Sequence, residues 1–292
     1  MELGQLRALR ELGDRGSIAA VAAAMHVTPS SVSQQISALQ RRSAAPLTYK
    51  DGRRMALTDA GRALAAAAID VEVALERAEQ AIARFQDDRS GPVYVAAFHS
   101  AALTMFPALV STPVTLSDFD VAQEDFPLLT AEHDLVLAHR LVGSPPWPAS
   151  VRVEPLLFEP LDIAMRRDHP LASRAVLEAS DLRDVEWVAV HEGFPLEQAI
   201  TVIVGTGGSE ARITHRINEF RIAAAVVAAS SCVALLPRYT TDLHPDLVLR
   251  PLARPEIGRH IDCLARPETL ERASVQAVLT QIREVAAGLA RP

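Results

Sequence analysis

The chain has 292 residues, enough for two or more domains with separate cores. It is 49% apolar but only 4% aromatic, carries a net charge of −7, and contains no apolar run of about 18 residues, which excludes a spanning membrane helix. Met1 opens on an amphipathic pattern rather than a signal-peptide core, so the expected location is the cytoplasm. The two cysteines, Cys232 in "AASSCVALL" and Cys263 in "HIDCLA", sit in apolar settings and read as small buried residues rather than a redox pair. The acidity is uneven. Residues 1–58 carry a net +4 and the remainder is acidic, as expected if only the amino-terminal end meets nucleic acid.

In chain order, "LGQLRALREL" spaces Leu3, Leu6, Leu9 and Leu12 as a helix that "GDRG" ends. Ser17 caps a second helix, "IAAVAAAM", whose buried stripe is Ile18, Val21, Ala22 and Met25. After the turn "HV", Thr28 caps a third, with Pro29 at its first position, where a missing N–H costs nothing. On this third helix Val32, Ile36 and Leu39 share one face. Ser30, Gln34, Ser37 and Arg41 fall opposite, with Ser33 at the flank of that face. An ordinary exposed face would carry Lys and Glu, and serine is a mediocre helix former. Short hydroxyls and an amide suit a helix that lies in the major groove, where glutamine pairs with adenine and hydroxyls reach bases or phosphates.

"LTYKDGRRMAL" reads as a β-hairpin turning at "DG", with Lys50, Arg53 and Arg54 near its tip. A basic hairpin behind such a helix is a wing placed to grip phosphate or the minor groove. Thr58 caps a long helix over about 59–87. Leu64, Val71, Ala78 and Phe85 recur every seven residues along it, with Leu75 and Ile82 widening the stripe into a dimerisation seam; docking on the chain's own larger part is the alternative. "DDRSGP" is a linker. Beyond it, strands ("VYVAAF", "PVTLSDF", "HDLVLAHRL", "EWVAVHEG", "ARITHRIN", "CVALLP", "HIDCLAR") alternate with helices, as in α/β layers, and "VRVEPLLFEPLDIAMRRDHPLA" reads as two short strands around a turn.

"HVTPSSVSQQISAL", the preceding "GSIAAVAAAM" and the following "PLTYKDGRRMALTDAG" resemble the winged helix-turn-helix of LysR-type transcriptional regulators. "PLDIAMRRDHPLA" and "VAASSCVALLPR" resemble stretches of that family's effector-binding domain. The resemblance implies an α+β multidomain fold: a winged helix-turn-helix over 1–58, a linker and dimerisation helix with its hinge over 59–91, and a periplasmic-binding-protein-like α/β domain over 92–292. The last would divide into one subdomain of about 92–160 plus 266–292 and a second of about 161–265. It further implies a dimer of dimers on double-stranded DNA at interrupted palindromes, no membrane association, and a small effector bound between the subdomains.

Carried onto this sequence, the DNA contacts would come from Thr28, Pro29, Ser30, Ser31, Ser33, Gln34, Ser37, Arg41, Lys50, Arg53 and Arg54. Phe98, His99, Ser100 and Ala101 would line one cleft wall. The "HEGF" turn (His191, Glu192, Gly193, Phe194) and Asn218 would face it, with His139 at the base. Glu192 departs from the small polar residue expected there and would favour an amino acid; an organic acid is the other class considered. The short stretch between Phe119 and Asp134 leaves room for only a stunted helix. The competing class, a cytoplasmic solute-binding protein or enzyme of the same α/β type, finds no support in HExxH, CxxC or GxSxG spacing, and "VGTGGSE" lacks the P-loop lysine. No catalytic residue, metal or cofactor is expected.

Overall fold

Helix α1 (Leu3–Arg15) ends at Gly16, whose φ of 68° closes the helix through its N–H to Leu12 O, a conformation that costs a residue with a Cβ far more. Ser17 Oγ accepts the Ala20 N–H at the start of α2 (Ile18–Ala24), and Thr28 Oγ1 accepts the Ser31 N–H at the start of α3 (Pro29–Arg41). The turn between α2 and α3 passes through the left-handed region at His26, φ 53°. Leu6, Leu9, Leu12, Val21, Val32, Ile36 and Leu39 are buried together, so three short helices share one small core. Strands β1 (Thr48–Asp51) and β2 (Arg54–Leu57) pair antiparallel as the wing.

The structure, a computed structural model, describes the whole chain apart from Arg53, residues 86–90, Gly193, Leu243 and residues 291–292, and apart from the side chains of Ala83, Arg84, Phe85, Pro195 and Glu197. Arg53 at the wing tip, Gly193 in the cleft turn and the Phe85 side chain in the seam were expected to be functional and lie outside what is described.

Helix α4 (Asp59–Phe85) starts under Thr58, whose hydroxyl accepts the Gly61 N–H at 3.0 Å. At Gly61 a Cβ would stand 2.0 Å from the Leu47 carbonyl oxygen, so the helix enters with its backbone against that of the residue just before β1. The first half of α4 packs Leu64, Ala65 and Ala68 into the winged-helix core, which removes Leu64 from the expected seam. Further along, Val71, Leu75, Ala78 and Ile82 are exposed, Leu75 by 40% and Ile82 by 63%.

The larger part runs β3 (Val93–Ala97), α5 (His99–Leu109), β4 (Val114–Asp118), a 3-10 turn and the one-turn α6 (Phe126–Leu129), then β5 (Leu135–Leu141). The stunted segment expected between Phe119 and Asp134 is thus a 3-10 turn and a single helical turn. β6 (Arg152–Arg166) is one continuous strand, not two around a turn. Its two prolines fall where a ladder tolerates them: Pro155 lies where the ladder shifts register, and Pro160 lies where β6 passes from pairing with β11 to pairing with β9 and β10. There follow β7 (Glu186–Ala189), α7 (Pro195–Thr206), β8 (Arg212–Arg216), α8 (Phe220–Ala228), β9 (Val233–Pro237), β10 (Leu247–Arg250), β11 (Gly258–Ala265) and α9 (Ala273–Leu289).

The strands join in the order β4-β3-β5-β11-β6-β9-β7-β8, with β10 on β6. One core holds Val95, Phe98, Met105, Phe126 and Leu137 with α9; others in the second half gather around Trp187, Ile203 and Leu235 and around Val227 and Leu236. Ile261, Cys263 and Leu264 of β11 pack in the first of these, earlier in the chain than the return point expected at residue 266.

The winged helix also docks on the first subdomain. Arg10 is buried and donates to Glu72 of α4, to Glu268 Oε1 (2.7 Å) and to the Ser150 carbonyl (3.0 Å). Beside it Glu11 accepts from Arg15 and Arg266. Burial pushes the Glu11 carboxyl up, but those two guanidinium groups outweigh it and hold the carboxyl below its ordinary range.

Candidate functional site

Two surfaces carry polar side chains that the fold does not use. The first is α3. With Val32, Ile36 and Leu39 buried against α1 and α2, the helix exposes Ser30, Ser33, Gln34, Ser37 and Arg41, and Thr28 and Pro29 stand exposed at its start. Ser31 is half-buried beneath the cap. Lys50 and Arg54 are exposed on the adjoining wing. No acidic side chain interrupts α3.

The second is the cleft between the subdomains, where a cavity of about 90 Å³ is lined by Phe98, His99, Ser100, Asp120, His139, Leu141, Val190, Phe194, Leu196, Asn218, Glu219, Phe220 and Arg259. At its base lies a buried polar network. Arg259 is 2% exposed. Its Nε donates to Glu159 Oε2 at 2.9 Å and its Nη2 to Ser100 Oγ at 2.7 Å and Thr240 Oγ1 at 2.8 Å. Glu159, fully buried, also accepts the Tyr239 and Thr240 N–H groups at 2.8 and 2.7 Å and the Thr240 hydroxyl at 3.1 Å. Arg259 and Glu159 face each other as cross-strand partners on β11 and β6. Burial works against the charge of Arg259, and Glu159 opposes that cost.

The guanidinium stacks over the Phe98 ring at 4.8 Å and the Phe220 ring at 5.7 Å. His139 packs edge-on to Phe98, ring centroids 4.7 Å apart, with its Nδ1 buried and unpartnered. Burial, reinforced by the charge of Arg259, pushes His139 down to about 3, so it is neutral at physiological pH.

A family model described as the LysR substrate binding domain matches residues 121–287, and one described as the bacterial regulatory helix-turn-helix protein, lysR family, matches residues 3–62. The chain belongs to the LysR family. It is a DNA-binding transcriptional regulator with an effector-binding domain. Among its relatives, the RuBisCO operon transcriptional regulator of Acidithiobacillus ferrooxidans is 30% identical over 65% of this chain and 63% of that one. The transcriptional dual regulator GltC of Bacillus subtilis is 26% identical over 94% and 93%. The crystal structure of full-length CbnR complexed with its target DNA shares the fold at a TM-score of 0.53 and 21% identity, covering 98% of this chain and 100% of that one.

Of the residues expected in this regulator's cleft, Phe98, His99, Ser100, His139, Phe194 and Asn218 come together around the cavity. Ala101 does not; it is buried in the first subdomain's core. His191 is exposed beside the cavity, its N–H donating to Asn218 Oδ1 at 2.9 Å. Glu192 is turned to solvent and paired with Arg216 at 2.9 Å, which removes the reason it gave for expecting an amino acid. Sequence reasoning missed Arg259, Glu159 and Thr240. Their signal was present as charged residues inside otherwise apolar strands, "LLFEPLD" and "GRHIDCL", but nothing local pairs two residues a hundred positions apart.

Among the described residues no group of three or more His, Cys, Asp or Glu is placed to hold a metal, and no helix is long and apolar enough to cross a membrane. Both cysteines are buried and free, and burial pushes the Cys263 thiol up to about 12.

Proposed function

We propose that this regulator reads an interrupted palindrome with the exposed face of α3, and that a small effector bound in the Phe98–Arg259 cleft sets how it engages that DNA. One observation carries the reading: α3 buries its aliphatic side against its own domain and turns an uncharged serine and glutamine face outward. Short side chains let a helix approach base edges closely, with Gln34 suited to the N6/N7 edge of adenine. Arg41, Lys50, Arg53 and Arg54 supply phosphate contacts without sequence preference.

The exposed stripe of Val71, Leu75, Ala78 and Ile82 on α4 supports pairing of two copies, and two such pairs would span a divided operator. On this reading residues 1–58 bind DNA, 59–91 pair subunits, and the effector domain folds as two halves, with β11 counted in the first. The protein acts in the cytoplasm and carries out no catalytic step.

Gel-shift titration on the DNA upstream of its own coding sequence, at fixed salt, tests the assignment. Gln34→Ala is expected to weaken specific binding by roughly 1–3 kcal/mol, whereas Arg54→Ala weakens specific and non-specific binding alike. Unchanged affinity for Gln34→Ala would remove α3 as the reading face.

A further inference from the structure

The winged helix and the first effector subdomain keep separate buried cores, with no residue in common. Helix α1 is fastened across the junction by hydrogen bonds and ion pairs: Arg10 to Glu268 Oε1 and the Ser150 carbonyl, Glu11 to Arg266, and Arg15 Nη2 to the Leu128 carbonyl at 3.3 Å. Polar junctions of this kind between domains open at lower cost than a shared apolar core.

The Arg15 bond decides what lies beside the wing. Arg15 ends α1, and the next carbonyl, that of Gly16, accepts the Met55 N–H of β2 at 2.9 Å. A Cβ at Gly16 would stand 3.7 Å from Arg54 Cδ, so the wing hangs from the same end of α1 that grips Leu128. Leu128 belongs to α6, and the 3-10 turn leading into α6 carries Glu124 and Asp125. Phe126, directly after them, is fully buried against Phe98 and Trp147, which fixes the turn in place. A crevice results, with Glu124 and Asp125 on one side and Arg54 of the wing and Arg62 of α4 on the other.

Both acids are exposed, and among the described residues neither carboxylate has a partner, nor has the Arg54 guanidinium. Two uncompensated negative charges thus stand beside a cation that the reading above gives to phosphate. Asp14 and Asp51 line the crevice too, but they belong to the winged helix and stay with the wing whatever the junction does. Glu124 and Asp125 come from the effector domain. We propose that these two acids are an electrostatic brake on DNA binding, engaged while α1 is docked and released when the junction opens. They lower the potential that draws a phosphate to Arg54, so the proposal rests on the wing being a phosphate contact.

Fluorescence-anisotropy titration of the full chain on a labelled duplex of arbitrary sequence, where charge supplies the affinity, tests this. Glu124→Gln with Asp125→Asn is expected to tighten binding roughly threefold at about 0.05 M salt and to lose most of that gain near about 0.3 M, where screening is short-ranged. Asp184→Asn with Glu210→Gln makes the same change in net charge at exposed sites of the second subdomain and gives no such gain. Arg266→Glu sets a carboxylate against Glu11 and opens the junction, which Trp147 emission reports in a Trp187→Phe background. It makes the chain more negative and is nevertheless expected to tighten binding. Adding the Glu124 and Asp125 changes to it gains nothing further.

If the Glu124 and Asp125 variant binds no tighter than wild type, or is matched by the remote pair, the brake is overturned while DNA binding stands. The brake is overturned equally if Arg266→Glu shifts Trp147 emission but weakens binding, or if the gain from the two acids persists undiminished with the junction open. Should Arg266→Glu fail to fold or leave the junction shut, the two double variants decide alone, since none of their four carboxylates is bonded within the described fold. If neither wild type nor any variant binds duplex at low salt, the reading of the wing falls and the brake falls with it.

Discussion

Arg10→Met tests whether the winged helix is held on its own effector domain by buried charge. Arg10 lies on α1 but spends its guanidinium on Glu72 of α4, on Glu268 and on the Ser150 carbonyl, so one side chain ties three parts of the chain. Removing one member of a buried pair strands the other charge and typically costs about 3–5 kcal/mol. Here Glu72 keeps Arg7, whose Nε donates to it at 2.9 Å, and Glu268 is partly open to water. The lower end therefore applies, about 3 kcal/mol, roughly a hundredfold in the folding equilibrium. Trp147 lines the crevice beside Glu11 and Arg15, so its fluorescence reports on this junction; Trp187, buried in the second subdomain, is replaced by Phe to leave a single signal. Urea unfolding followed by Trp147 emission and by circular dichroism measures the loss. Adding Glu72→Gln and Glu268→Gln to Arg10→Met removes the stranded charges and is expected to restore much of the stability. A difference below about 0.5 kcal/mol for Arg10→Met alone, the range of ordinary surface changes, would refute the reasoning.

Three other outcomes are expected. Because burial holds His139 down to about 3 in the folded chain, the unfolded chain takes up a proton first as pH falls. Stability contributed by neutral His139 is full above about 6.5 and is lost between there and about 3; His139→Phe flattens that slope in pH-dependent unfolding, and an unchanged slope contradicts it. Gly61→Ala, which drives a Cβ to within 2.0 Å of the Leu47 carbonyl, is expected to cost about 3 kcal/mol and to abolish DNA binding, read by thermal melting and gel shift. Leu75→Glu puts charge into the exposed stripe of α4 and is expected to yield monomers in sedimentation; a wild-type chain that is itself monomeric would contradict the pairing reading.

The winged helix was legible nearly residue by residue because its determinants are local. Ser17 and Thr28 cap within three residues, Gly16 and "DG" mark turns, and a spacing of four and three identifies the buried side of α3. The α/β alternation was legible for the same reason. What was missed depends on pairing at long range. The stretch of β6 read as two short strands around a turn, because its continuity is decided by β11, β9 and β10, which arrive later in the chain. In the cleft, Phe98, Ser100 and Asn218 stand beside helix starts and were found by resemblance, while Arg259 and Glu159 become intelligible only once β11 lies against β6. Glu192 misled because position in the chain says nothing of Arg216, which draws it outward.

The two halves of the effector domain share β6 itself rather than being tethered by a slack loop. β6 carries the chain from one half to the other without interruption, and Glu159 sits just where the strand changes neighbours. A ligand held at this spot would bear on a strand that both halves share, and so on their common sheet as well as on the wall of the cleft.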